Sequence, residues 1–244
     1  MRSRGRRAEF SLGAVRAHWN AVAGVYDRWN TRYESTHFQR FEEALRHLPL
    51  TAGQRVLDVW SRTGNASRYL QAACPQIAYV GLELSEAMLR CARQKYPGRD
   101  FVQGTMVELP FARASFDHVL SLETLEHVPE PARFLAEARR VLREGGRLVL
   151  STPPATAEWM TALVDALKLN HGEGPRRFLP SREVKALLAA AGFRILLHRG
   201  TVLIPAGPRR LRRWSQHWLE PRVQGTVLAE FGIRQFYVCQ GGPG

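Results

Sequence analysis

The chain has 244 residues with 45% hydrophobic residues, enough for one α/β domain with additions and a substantial core. A formal charge of +13 is concentrated at the two flanks: residues 1–20 and residues 208–222 each hold five arginines against one glutamate. No apolar run is long enough to cross a bilayer, and the basic start has no apolar stretch behind it to make a secretory signal. Cys74, Cys91 and Cys239 are odd in number and widely spaced, which argues against a disulfide framework or a cysteine-held zinc and for a reducing, cytoplasmic setting. The basic clusters suit anionic lipids, nucleic acids or acidic substrates, or solvated tails.

Residues 1–14 read as a basic arm and residues 15–240 as the domain. The pattern from Val15 to Leu48 is helical, punctuated by Pro49 and Gly53. Alternation follows. Arg55–Val59 reads as a strand, with a helix from Asn65 to about Ala73. Ile77–Glu83 is a second strand, after which Ser85 caps a helix running to about Tyr96. Asp100–Gln103 and Asp117–Leu122 are the third and fourth strands, the latter continuously apolar as in a buried parallel sheet. Pro131–Arg143 is helical and stopped by Gly145-Gly146. Arg147–Ser151, Phe193–His198 and Ile233–Cys239 complete seven strands, with a helix over Ser181–Ala191. The expected fold is α/β, a Rossmann-like, mostly parallel sheet with helices on both faces.

The stretch Arg55 to Gly64 is the most informative. An apolar strand ends in Asp58, and Gly64 opens a helix, the shape of a loop that cradles a nucleotide. Glu83 ends the next strand, where a carboxylate can accept both hydroxyls of a ribose; as a simpler alternative it caps the following helix. Glu123, Glu126 and His127 form an E-x-x-E-H cluster after the fourth strand. A metal site there would need His171 as well, and the expectation is that no metal is held, Glu126-His127 instead bracing the turn before Pro129. His127 is the best general-base candidate, because an imidazole titrates near neutral pH. Arg209 to Leu219 reads as a basic amphipathic helix, with Leu211, Trp214 and Trp218 at i, i+3 and i+7. That suits a peripheral membrane contact, a lid over an apolar substrate, or plain packing.

Val56-Leu57-Asp58…Gly64, Val80-Gly81-Leu82-Glu83-Leu84-Ser85, Phe101-Val102-Gln103-Gly104…Leu109-Pro110-Phe111, Leu125-Glu126-His127-Val128-Pro129 and Arg140-Val141-Leu142-Arg143-Glu144-Gly145-Gly146 together resemble the class I S-adenosylmethionine (SAM) methyltransferases. Within them the small-molecule branch, which includes ubiquinone and menaquinone biosynthesis enzymes, is the nearest in look. The resemblance spans about residues 15–240 and implies a sheet whose last strand runs antiparallel. It also implies methyl transfer from SAM to a small, apolar or lipid-like acceptor. SAM would lie across the carboxyl ends of strands one to four, on Asp58, Gly64, Glu83, Leu84, Thr105, Met106 and Ser121, with Arg62 on its carboxylate or facing solvent. The segments 15–50 and 199–230 would act as lids, with Tyr26, Tyr33, His37, Trp214 and Trp218 towards the acceptor. The chain departs from the family at Trp60 and Arg62, which stand where glycine is usual, and at Thr105, where an acid is common. Those departures leave open a second reading, a methyltransferase-like interaction module. The charge leaves a third, RNA methylation, and nucleic acid is the less expected partner.

Overall fold

The computed structural model describes residues 10–32, 37–159, 161, 167, 172–204, 208–224 and 226–242. Seven strands form one sheet in the order β3-β2-β1-β4-β5-β7-β6. They are β1 (Arg55–Val59), β2 (Ala78–Glu83), β3 (Asp100–Gln103), β4 (Phe116–Leu122), β5 (Leu142–Thr152), β6 (Phe193–Thr201) and β7 (Arg234–Gly241). Strands β1 to β5 pair in parallel, and β7 runs antiparallel between β5 and β6. The strand count is the one read from the sequence, and the reversed last strand is the one the resemblance implied.

Strand alternation sends successive residues to opposite faces, so each central strand feeds two cores. Leu57, Val119, Leu148 and Tyr237 join one apolar cluster. Their neighbours Val56, Leu120, Val149 and Val238 join the other. The first cluster is covered by α1 (Leu12–Arg32) through Val15 and Trp19, by α4 (Glu86–Lys95) through Met88, and by α5 (Pro131–Val141) and α6 (Ser181–Ala190) through Phe134, Leu135, Val184 and Leu188. The second is covered by α2 (Gln39–Leu45) and α3 (Asn65–Ala73) through Phe41, Ala44, Ala66 and Leu70.

Three boundaries differ from the sequence reading. The helical run from Val15 to Leu48 is two helices, α1 and α2. Helix α5 ends at Val141, and β5 begins at Leu142 rather than Arg147. Gly145 adopts φ +72, and a Cβ on Gly146 would sit 2.6 Å from the Asp117 carbonyl, so the glycine pair bends the strand rather than stopping a helix. The register between β4 and β5 shifts at this point. Strand β6 continues to Thr201, so the segment expected from residue 199 starts at Val202.

Order reverses between β1 and β4, with β2 on one side and β5 on the other. Ligands of open parallel sheets bind at the carboxyl ends of the strands at such a point.

A candidate donor cradle filled by its own side chains

The loop after β1 has the backbone of a glycine loop without the glycines. Trp60, Arg62 and Gly64 all take positive φ, at +63, +52 and +74. Left-handed backbone costs an L-residue about 1–2 kcal/mol, which is why glycine is favoured there. The turn is closed by Ser61 N–H donating to Leu82 O at 2.9 Å and Gly64 N–H donating to Ser61 O at 2.8 Å. Gly64 itself has no alternative, since a Cβ would lie 2.6 Å from the Phe101 ring.

Glu83 stands at the end of β2 where it was expected, fully buried, and its carboxylate is already engaged. Oε1 accepts from the Trp60 indole Nε1–H at 3.1 Å and from Ser85 N–H at 2.8 Å, and Oε2 accepts from Arg62 N–H at 2.7 Å. Burial outweighs these bonds and pushes its pKa up to about 7. The Trp60 ring is 2% exposed. It packs edge-on against Trp19 of α1 at 5.4 Å and against His127 at 4.7 Å.

The Arg62 side chain does not reach outward for a ligand carboxylate or for solvent. It turns inward, 4.6 Å over the Trp19 ring and 4.7 Å over the Trp60 ring, and donates to Glu123 O at 2.8 Å and Leu122 O at 3.3 Å. Around it lies a charge cluster that spacing did not reveal. Glu123, itself at φ +54, pairs with Arg40 of α2 and Arg234 at the start of β7, and these cations hold its carboxyl far below the usual range. Arg40 also meets His37 at 3.1 Å and donates to Tyr26 Oη at 3.3 Å. The two lid candidates thus serve this cluster. What space remains here is about 10 Å³, room for one water, bounded by Tyr26, Arg40, Phe41, Asp58, Trp60 and Arg62 among others. Sites for drug-sized ligands run to about 300–1,000 Å³.

Helix α1 is fastened over this loop. Asp27 accepts from Thr63 Oγ1 at 2.8 Å and from Asn65 Nδ2 at 3.1 Å, and pairs with Lys95 at 2.7 Å. Asn20 Oδ1 accepts from Ser85 Oγ at 2.6 Å and from Ala87 N–H at 3.1 Å, at the start of α4. The sequence does not reveal the partners of Asp27 and Asn20, because they lie 36 to 68 positions away.

Asp58 accepts from Tyr79 Oη at 2.8 Å, and burial raises its pKa to about 6. His127 is 1% exposed; its Nδ1–H donates to the Pro175 carbonyl at 2.9 Å, which leaves Nε2 as the basic nitrogen. Burial holds the imidazole well below its usual pKa, so it is neutral near pH 7. Glu126 accepts from Thr152 Oγ1 at 3.0 Å, and burial lifts its pKa to about 8. The E-x-x-E-H residues therefore point to separate partners, and they form no metal-holding group among the described residues. His171 and Tyr33 lie outside the described residues.

Leu84 and Met106 are buried at 7% and 1% and pack in the first core. Thr105 is half-buried and pairs with Glu108 in a short bridge, and Ser121 is fully buried with no partner for its Oγ among the described residues. Trp214 and Trp218 take no part in the cradle's ring contacts among the described residues; they are 51% and 57% exposed. Glu83 and the left-handed loop, both expected at a nucleoside site, stand together at the switch point. In this conformation the Trp60 indole and the Arg62 guanidinium take the space and the hydrogen bonds, and no transfer step follows from the closed arrangement.

A family model described as "Methyltransferase domain" matches residues 57–150. A probable phthiotriol/phenolphthiotriol dimycocerosates methyltransferase 2 of Mycobacterium ulcerans is 34% identical over 179 residues, 65% of this chain and 69% of that protein. The demethylmenaquinone methyltransferase of Clavibacter sepedonicus is 38% identical over 157 residues, 61% of this chain and 63% of its own length. The chain spans 54% to 69% of the length of these and a further similar relative. In fold, it is similar to a SAM-dependent methyltransferase of Thermotoga maritima, with a TM-score of 0.67 at 20% identity, covering 93% of this chain and 99% of that one.

Proposed function

This chain belongs to the class I SAM-dependent methyltransferases, whose cofactor is SAM, and on that premise we propose that it transfers a methyl group to a small apolar acceptor, lipid-like or quinone-like, from a donor cradle that its own Trp60 latches shut. One observation carries the reading. The β1 loop keeps three left-handed residues in five positions although two of them are Trp60 and Arg62. Backbone strain of this kind persists where function needs the geometry, and a glycine-type loop is needed to bring backbone close to a bound nucleoside. Glu83 beside it is the carboxylate such a ligand would meet. The substrate class is supported by the relatives, named for demethylmenaquinone and for phthiotriol dimycocerosates.

In this reading the closed arrangement is the resting form, and the binding-competent form has the indole swung off Glu83. Methyl transfer from a sulfonium mainly requires alignment and exclusion of water. The covering helix α1, pinned through Asn20 and Asp27, supplies that exclusion. His127 enters as a base only if the acceptor needs deprotonation and only once the indole beside it has moved.

The test is titration with SAM and with its demethylated product, followed by calorimetry and by tryptophan emission. One molecule bound per chain is expected, with an emission change that Trp60→Phe diminishes. Absence of heat at millimolar ligand would refute the reading. Transfer of labelled methyl from SAM to a demethylated prenyl quinone, but not to water-soluble amines, tests the acceptor class.

A further inference from the structure

The segment between β6 and β7 is docked inside out. Helix α7 (Arg209–Trp214) continues through a π-helical turn (Ser215–Leu219) into a short helix α8 (Glu220–Arg222). The face turned to the protein carries buried polar residues: Ser215 and Glu220 are each 1% exposed, with Leu219 half-buried and Val223 buried beside them. Glu220 pairs with Arg199 of β6 at 3.6 Å and accepts from Leu203 N–H at 3.2 Å. Three large apolar residues nevertheless point outward. Leu211, Trp214 and Trp218 are 42%, 51% and 57% exposed, and their i, i+3, i+7 spacing aligns them in one stripe. A segment that docks on its domain for its own stability buries its apolar stripe; this one exposes it.

The placement is not random. Trp159, Leu228 and Phe231 are also exposed, at 70%, 50% and 49%. All six residues lie in the connections that leave the carboxyl ends of β5 and β6. Both strands are antiparallel to β7, so these connections emerge at the same edge of the sheet as the cradle. Exposed Arg210, Arg213 and Arg222 accompany the stripe, and the Arg222 guanidinium lies 4.9 Å over the Trp218 ring. Indoles flanked by arginines suit one environment well, the headgroup layer of an anionic bilayer, where the rings enter the acyl boundary and the guanidiniums remain with phosphate.

We propose that the stripe Leu211, Trp214 and Trp218, flanked by Arg210, Arg213 and Arg222, is a docking surface for an anionic membrane. It stands on this geometry alone; its meaning, delivery of a lipid-like acceptor to the carboxyl edge, rests on the function proposed above.

The test is sedimentation of the full chain with vesicles of phosphatidylcholine alone and of phosphatidylcholine mixed with phosphatidylglycerol, at low and high salt, with no SAM present. Binding is expected to the anionic vesicles and to weaken with salt. Arg210→Gln/Arg213→Gln should lower the partition coefficient by about 25-fold, about fivefold for each arginine. Trp214→Ser/Trp218→Ser should reduce binding to the level of neutral vesicles. The melting temperature should stay unchanged in both variants, since these are surface positions. No binding at low salt, equal binding to both vesicles, or undiminished binding by the tryptophan variant would each overturn the proposal. So would concentration-dependent dimerisation that the tryptophan variant abolishes, which would give the stripe to a second copy. Failure of SAM binding with vesicle binding intact would strike only the proposed function.

Discussion

Replacing Trp60 with glycine should make the protein less stable and a better binder of SAM. The indole is 2% exposed, and burial of an aromatic ring of this size, about 150–250 Å² at about 25 cal/mol per Å², is worth roughly 4–6 kcal/mol. Against that loss stands relief of the left-handed backbone at φ +63, about 1–2 kcal/mol. The net cost is roughly 2–5 kcal/mol, or a fall in melting temperature of roughly 4–20 °C for a chain of this size. The latch is the indole N–H on the buried Glu83 carboxyl, a bond that is charge-assisted above about pH 7, where the acid is ionised, and worth about 1.5–3 kcal/mol there. A ligand that must first displace it binds about 10- to 100-fold more weakly than its intrinsic affinity. Calorimetric titration of Trp60→Gly should therefore give a Kd for SAM about 10- to 100-fold tighter than the native chain, alongside the lower melting temperature. A folded variant with affinity equal to or below native would refute the latch and leave Trp60 as plain packing.

Two further outcomes follow from the buried charges. Burial raises the folded-state pKa of Asp58 to about 6, of Glu83 to about 7 and of Glu126 to about 8. The folded chain then holds more protons than the unfolded one between about pH 4 and 8. Their contribution is fully present below the unfolded carboxyl pKa and declines as pH rises through the folded values, so these groups lower the melting temperature from pH 5 to pH 8. Glu126→Gln, an isostere of the protonated acid that keeps a partner for Thr152, should flatten that slope and melt above the native chain at pH 8; parallel slopes would discount Glu126. Arg40→Met should destabilise by about 3 kcal/mol, because it leaves Glu123 with Arg234 alone in a mostly buried site, and chemical denaturation would read this directly; a change below about 1 kcal/mol would show Arg40 to be dispensable.

The sheet was legible because its causes are local. The apolar run of β4, the Ser85 cap with Met88 N–H on its Oγ, and Pro131 at the start of α5 each act within a few residues, and each element appears where those signals lie. The positions of Gly64 in the turn and of Glu83 at the end of β2 were legible too, since turn glycines and strand ends mark themselves. The Gly145-Gly146 pair misled, because a glycine pair serves a helix stop and a strand bend alike, and only the approach of Asp117 O decides between them.

From sequence alone came the fold and the carboxylate at the end of β2, fixed by short-range pattern and spacing, and, through the resemblance of its motifs, the family and the two residues that break the glycine loop. Tertiary structure decided what those two residues do. Trp60 and Arg62 hydrogen-bond to partners 21 to 61 positions away, and the ion pairs of Glu123 reach back 83 residues to Arg40 and forward 111 to Arg234. Distances of that kind are written only when the sheet brings its carboxyl edge together. The same folding turns the Trp214 and Trp218 stripe outward, while Glu220 faces inward to Arg199 on β6.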